Sequence, residues 1–307
     1  MKFFSSKNKR KTSPKKVLFI RNPKSGIVRT QKLIRRTVER TFANTDFEYE
    51  FIETQYRGHA HELAKEAAAK GYDIVVAIGG DGTTNEVGSA LLNTNTALGI
   101  IPLGSGNGLA RGLDIPLSPF RAAKTLINGK IKTIDAGKIE DRIFFLVAGF
   151  GFDAVIGTAF NEQNIRGMIP YFTIAFREYF SYKPEVFVLK FDGKQVAVPA
   201  LFVTIANFRG WGGGAMISPE AKYDDGLLDI CTIHRSHWLY ILFNFYKLFT
   251  GGIVKLRRYS HYQAKSVEII RERPGPFQHD GESAYGGDTL HASILPGALK
   301  VIVPVRD

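Results

Sequence analysis

Asp73-Ile74-Val75-Val76-Ala77-Ile78-Gly79-Gly80-Asp81-Gly82-Thr83-Thr84-Asn85-Glu86-Val87 reads as a strand, a sharp turn and the start of a helix. The apolar, β-branched run from Ile74 to Ile78 shows no alternation, as expected of a strand buried on both faces. Gly79, Gly80 and Gly82 then let the backbone approach a ligand that side chains would block. From Thr83 or Thr84 the spacing turns helical, with Glu86 in the first turn and Val87, Ala90 and Leu91 following. Strand end, glycine turn and helix N-terminus together form an anion-binding corner, because free amides and the helix dipole both point outward. Asp81 is out of place there, since a carboxylate among phosphate-binding amides repels phosphate unless a cation lies between them. Mg²⁺ is therefore implied. The plainer alternative is a tight β-α turn with Asp81 as its N-cap.

Upstream, Val17-Leu18-Phe19-Ile20 is a second buried strand, and Arg21-Asn22-Pro23-Lys24-Ser25-Gly26 is a turn at its end. Leu33, Ile34, Val38 and Phe42 recur at helical spacing. Phe47, Tyr49 and Phe51 alternate as a strand ending near Thr54, and residues 59–70 form an Ala-rich helix closed by Gly71. His59 and His61 point to different faces of that helix and are read as surface residues. Downstream, Ala97 to Pro102 is a fourth strand, followed by a third glycine turn, Leu103-Gly104-Ser105-Gly106-Asn107-Gly108. Strands alternating with helices predict a doubly wound α/β nucleotide-binding domain over residues 16–132, with ligand at the carboxyl ends of its strands. Neither the P-loop pattern nor Gly-x-Gly-x-x-Gly after the first strand is present, so other groups must hold the phosphates.

Past Lys132 the texture becomes β-rich. Phe144 to Ala148, Val186 to Phe191, Val198 to Ala206 and Val267 to Ile270 are short apolar runs separated by Gly, Asp and Pro turns. A second, mainly antiparallel β domain is expected over residues 133–307, with the active-site cleft between the two and the final Leu299 to Val303 strand able to pair in either. Residues 165–182 and 237–258 interrupt this texture with Phe, Tyr, Trp and Leu, the second ending in Lys255, Arg257 and Arg258. Such stretches suit helices packed on a sheet and also helices lying at a bilayer interface.

The chain has 307 residues, 44% hydrophobic and 23% charged, with room for two domains. A single cysteine, Cys231, excludes an internal disulfide framework and fits a reducing compartment. No apolar run reaches spanning length and no signal-peptide pattern opens the chain, so a cytoplasmic protein is expected. Of the net charge of +12, residues 1–16 carry +7 without one acid, leaving +5 for the rest. Residues 1–15 are therefore expected to form a basic, disordered tail that is either solvated or attracted to an anionic membrane surface. No zinc-finger, helix-turn-helix or RNA-binding pattern accompanies the charge, which argues against nucleic acid.

Taken in order, Asn22-Pro23-Lys24-Ser25-Gly26, Gly79-Gly80-Asp81-Gly82-Thr83, Pro102-Leu103-Gly104-Ser105-Gly106-Asn107, Asp224-Asp225-Gly226 and Asp280-Gly281-Glu282 resemble the diacylglycerol kinase catalytic-domain family. That family takes in bacterial diacylglycerol and related lipid kinases and the sphingosine and ceramide kinases. The resemblance implies an ATP- and Mg²⁺-dependent lipid kinase, peripheral at the inner face of the membrane, with a homodimer as a further expectation. It implies ATP contacts at Asn22, Pro23, Lys24, Ser25, Gly26, Thr54, the Gly79 to Glu86 corner (Gly79, Gly80, Asp81, Gly82, Thr83, Thr84, Asn85 and Glu86) and Ser105. It also implies Mg²⁺ held by the Asp225 carboxylate with the Lys222 and Leu227 carbonyls, a set of hard oxygen donors; a simple turn is the alternative there. Glu282 falls where the family's catalytic base lies, and chemistry supports this, because an attacking lipid hydroxyl must shed its proton to a nearby group. Asp81 is expected to bind or orient Mg²⁺. Asp135 is expected either to extend this acidic network or to cap a turn, and Asp153 to meet a polar headgroup or serve a β-turn.

Gly108 departs from the pattern, since bacterial diacylglycerol kinases typically carry Asp there. Diacylglycerol, a long-chain base and phosphatidylglycerol therefore all remain as acceptors. An NAD kinase shares the Gly-Gly-Asp-Gly corner, and a catalytically silent nucleotide- or lipid-binding regulator is the alternative outside enzymes.

Overall fold

The computed structural model describes residues 14–26, 28–162, 168–212 and 214–305. Most of the expected basic tail lies outside them, as do residues 163–167 at the start of the first aromatic stretch.

Four strands, β1 (Lys16–Arg21), β2 (Glu48–Glu53), β3 (Ile74–Gly79) and β4 (Ala97–Pro102), pair in parallel in the order β2-β1-β3-β4. Every residue of β3 and β4 is buried, as their unbroken apolar runs require. The connecting helices are α1 (Val28–Phe42), α2 (His59–Ala69) and α3 (Asp81–Ala90), with short α4 (Gly108–Gly112) and α5 (Pro119–Asn128) after β4. α2 buries Ala60, Ala64 and Ala67, small enough for close approach to its neighbours, and ends before Gly71 in the left-handed region at φ 76°.

The second half is a β-sandwich whose strands are β5 (Lys130–Ile139), β6 (Arg142–Phe144), β7 (Val147–Gly151), β8 (Glu185–Phe191), β9 (Lys194–Ala206), the short β10 (Gly210–Gly212) and β11 (Ala215–Met216), β12 (Leu228–His234), β13 (Tyr259–Ala264), β14 (Ser266–Ile270), β15 (Gly275–His279), β16 (Glu282–Gly286) and β17 (Thr289–Val303). β9 serves both layers: Lys194 to Ala200 pairs with β8, whereas Phe202 to Ala206 lies between β7 and β12. Phe150, Phe187, Leu189, Val203, Ile230 and Ile269 fill the space between the layers. β17 joins the two halves. It runs beside β14 and β5, bulges between Leu295 and Leu299, and places Val301 parallel to Leu98 of β4. The last strand therefore joins the parallel strands and those of the sandwich into one sheet, 15-stranded among the described residues.

One expectation is corrected. The strand expected over Phe144 to Ala148 is split into β6 and β7, because the amides of Phe145, Leu146 and Val147 turn toward the Asp280 carboxylate. The second aromatic stretch forms α8 (Trp238–Asn244), α9 (Lys247–Thr250) and a 3₁₀ turn over Gly252–Lys255, with Gly251 at φ 72° between α9 and the 3₁₀ turn. The first aromatic stretch gives α7 (Met168–Ser181), preceded by α6 (Phe152–Glu162).

Candidate active site

The three glycine turns meet at one edge of the parallel sheet. After β1, the backbone of Asn22 donates to Ile78 O at 3.0 Å and its side-chain amide donates to Thr83 Oγ1 at 3.2 Å. Asn22 Oδ1 in turn accepts from Lys24 N at 2.9 Å, which closes the loop. Between the second and third turns the backbones nearly touch: a Cβ on Gly104 would lie 2.7 Å from Gly80 Cα. Only glycine permits that approach.

α3 begins at Asp81 with Gly80 as its N-cap, so Asp81 does not cap its own helix. Its carboxylate reaches instead to the start of α4, where Oδ2 accepts from Asn107 N at 2.8 Å and Oδ1 from Gly108 N at 2.6 Å. A Cβ on Gly106 would lie 2.6 Å from Asp81 Oδ2, which explains that glycine. Burial pushes the Asp81 carboxyl above its ordinary value, while the Gly108 and Asn107 amides and the Arg111 charge pull it back. A carboxylate offers about four lone-pair sites, so these two bonds leave Asp81 able to meet a cation. Asn107 Oδ1 and Nδ2 brace the same turn through Gly104 N and Gly104 O, and Ser105 stands exposed at its tip.

Glu282 faces this corner from the second half of the chain. A Cβ on Gly82 would lie 3.3 Å from Glu282 Oε1, and Glu282 Oε2 pairs with Arg57 Nη2 at 2.8 Å. The structure thus brings Asn22, Gly80, Asp81, Gly82, Thr83 and Glu282 together. Thr54 opens the β2–α2 loop, its amide donating to Arg21 O at 2.8 Å. Glu86 fastens that loop to α3, accepting from Gly58 N at 3.1 Å and Ala60 N at 3.2 Å. Asn85 reaches across to the sandwich, donating to Asp280 Oδ2 at 2.9 Å and to Ile143 O at 3.1 Å.

Asp135 and Asp225 stand elsewhere. Asp135 is buried and caps two turns, accepting from Gly226 N at 2.8 Å and from Gly297 N, in the β17 bulge, at 2.7 Å. Neither Asp81 nor Glu282 is among its described partners. Asp225 accepts from Leu227 N at 3.1 Å in the adjoining turn. Burial, and then the negative charges of Asp229 and Asp135, push its carboxyl above the ordinary value. A divalent cation would relieve that repulsion, so the Asp225 carboxylate with the Lys222 and Leu227 carbonyls is a chemically fitting set. Among the described residues no group of three or more His, Cys, Asp or Glu side chains is arranged to hold a metal.

Several neighbours of the site carry no motif. Arg57 is one. His279 is another, directly opposite Glu282 in the β15–β16 pair, buried, with neither ring nitrogen hydrogen-bonded among the described residues. Burial lowers its pKa most, opposed by the Glu282 charge and aided by those of Arg142 and Arg57. Asp153 lies buried in the first turn of α6 and accepts from Gln278 Nε2 at 2.9 Å, so it serves helix-to-strand packing.

Three glycine turns at parallel strand ends, faced by a carboxylate from a β-sandwich, define a two-domain α/β fold of the kind that lipid kinases share. The chain belongs to the diacylglycerol kinase catalytic-domain family. Residues 16–139 match the diacylglycerol kinase catalytic domain and residues 147–303 match the YegS C-terminal NAD kinase β-sandwich-like domain. A diacylglycerol kinase of Mycobacterium tuberculosis is 36% identical over 263 residues, covering 80% of this chain and 83% of that one. A diacylglycerol kinase of Bacillus subtilis is 29% identical and covers 92% of each chain. A crystal structure of a candidate diacylglycerol kinase from Bacillus anthracis superposes with a TM-score of 0.79 at 25% identity, covering 98% of each chain.

Proposed function

We propose that this protein is an ATP- and Mg²⁺-dependent lipid kinase that transfers the γ-phosphate to a lipid hydroxyl in the cleft between the parallel sheet and the sandwich. The observation that carries this reading is Glu282 Oε1 lying over Gly82 at the start of α3, beside amides suited to phosphate. In the reaction the acceptor hydroxyl gives its proton to Glu282, its oxygen bonds to the γ-phosphorus, and the bond to the β,γ-bridging oxygen breaks to leave ADP. The loops at Asn22 to Gly26, Thr54, Gly79 to Glu86 and Ser105 would position the nucleotide. Bound Mg²⁺ would offset phosphate charge, with Asp81 nearest the corner, and Asp225 with Lys222 and Leu227 would hold a structural ion. Asp135 supports that second turn.

The acceptor would arrive from a membrane. Phe176 and Phe180 of α7 are 60% and 55% exposed, and Leu242, Phe243 and Tyr246 of the α8–α9 segment are 60%, 73% and 59% exposed. Lys247, Lys255, Arg257 and Arg258 lie in the same segment, the combination expected at an anionic bilayer interface. No helix among the described residues is long and apolar enough to cross a membrane. Diacylglycerol is the first acceptor to test, given the named relatives.

The test incubates the protein with Mg²⁺-ATP and, in separate arms, diacylglycerol, a long-chain base, phosphatidylglycerol and NAD, with products identified by mass spectrometry. The NAD arm is included because the sandwich matches an NAD-kinase-like domain. A phosphorylated lipid, lost by about 10²- to 10⁴-fold in Glu282→Gln, is the expected result. Phosphorylated NAD alone, or full activity in the variant, would overturn the reading.

A further inference from the structure

Arg57 is the one residue of the β2–α2 loop whose side chain crosses to the sandwich, where Nη2 meets Glu282 Oε2 at 2.8 Å. The loop beneath it is firmly built. Glu86 accepts from Gly58 N and Ala60 N, and Tyr56 stacks on His59 with ring centroids 4.6 Å apart. The guanidinium itself is held loosely, for the Arg57 side chain is 79% exposed and Glu282 35%. An ion pair this open adds little to stability, so holding the fold together does not account for it. It lies instead against the one carboxylate that faces Gly82 from the second domain. The loop also carries Thr54, and it is pinned to α3 through Glu86 four residues beyond Gly82.

We propose, resting on the lipid kinase reading, that Arg57 exchanges partners in the catalytic cycle: it pairs with Glu282 when no nucleotide is bound and turns to the terminal phosphate of ATP when it is. A guanidinium presents its donors in a planar fork that suits phosphate oxygens, and a triphosphate carries more negative charge than a single carboxylate. The exchange does two things at once. It places a cation on the group whose charge is redistributed during transfer, and it uncovers Glu282 Oε2 for the incoming hydroxyl. Nucleotide then binds before lipid, because the acceptor's proton acceptor is covered until ATP draws Arg57 away. ADP, lacking the terminal phosphate, leaves Arg57 with Glu282.

The test compares wild type with Arg57→Met, which keeps the stem and removes the charge, and with Arg57→Lys, which restores a charge without the fork. Titration calorimetry with Mg²⁺-ATP and Mg²⁺-ADP gives affinities, and turnover on diacylglycerol-containing vesicles gives kcat and KM. In Arg57→Met, ATP affinity should fall about tenfold with little change for ADP, and kcat by about 10²-fold, with partial recovery in Arg57→Lys. An ATP-to-ADP preference equal to that of wild type, or a kcat unchanged or raised, overturns the exchange. A wild type that prefers ATP but phosphorylates no lipid would sink the kinase reading while leaving the ATP-to-ADP comparison to decide the role of Arg57. A wild type that binds neither nucleotide removes both.

Discussion

Asp280 shows how much of the site rests on a residue beside the obvious one. Its carboxylate accepts from Phe145 N, Leu146 N, Val147 N and Asn85 Nδ2 at 2.7, 2.8, 3.2 and 2.9 Å. Its backbone sits in the left-handed region at φ 47°, so the turn that presents Glu282 is set by Asp280 and the glycine after it. Burial pushes the Asp280 carboxyl from 3.8 up to about 6, with those four donors pulling the other way. Since folding raises this pKa, the folded protein holds the proton more tightly than the unfolded chain. That contribution is complete below pH 3.8 and is lost as pH rises to about 6, at most about 3 kcal/mol. Denaturant unfolding of wild type and Asp280→Asn at a series of pH values checks this. The stability of wild type relative to the variant should shrink across that window and stay level above it, and parallel curves would refute the assignment. The Asp280-Gly281-Glu282 motif was legible in the sequence, and so was a role for Glu282. The work of Asp280 was not, because the amides it gathers lie more than 130 residues away in the chain. Arg57 escaped for the same reason, since its partner Glu282 lies 225 residues on in the chain.

Among the elements, those written in local chemistry were the readable ones. β1 to β4 follow from unbroken or alternating apolar runs, and α2 from its alanines and terminal glycine. Where a distant group intervenes, local pattern fails, as at β6 and β7, split by Asp280. For the aromatic stretches the sequence left core and interface both open, and the structure divides them by residue. Ile174, Tyr179 and Ile253 are buried, whereas Phe176, Phe180, Leu242 and Phe243 face outward. If the outward set enters a bilayer interface, Phe243 at 73% exposure contributes about 2 kcal/mol to binding. Phe243→Ala should then weaken sedimentation with anionic vesicles by roughly 10- to 30-fold without moving the thermal midpoint. Unchanged vesicle binding, or a lowered midpoint, would tell against the interface.

At the scale of the whole molecule, the two halves share strands and core. β17 pairs antiparallel with β5 from Ala292 to Val303, touches β4 at Val301 and borders β14 from Thr289 to Ser293. One continuous apolar cluster runs from Val17, Val76 and Leu98 of the parallel sheet through Phe145, Phe208 and Ile217 to Leu299 and Val301. Asn85 to Asp280 adds a polar tie between the two halves. The β17 bulge is itself held by Asp135, which accepts from Gly297 N. Removing a strand that lies between two others exposes apolar faces on both, and burial of such faces is the main force holding a domain together. Two consequences are expected. Calorimetric unfolding of the intact chain should give a single transition with matching calorimetric and van't Hoff enthalpies. A chain ending at Asp288 should lose protease resistance in residues 16–139 as well as in the sandwich, because β4 and β5 lose their partner together. A truncated chain whose first half stays resistant, or two separable transitions in the intact one, would show that the halves fold independently and that β17 only abuts the first.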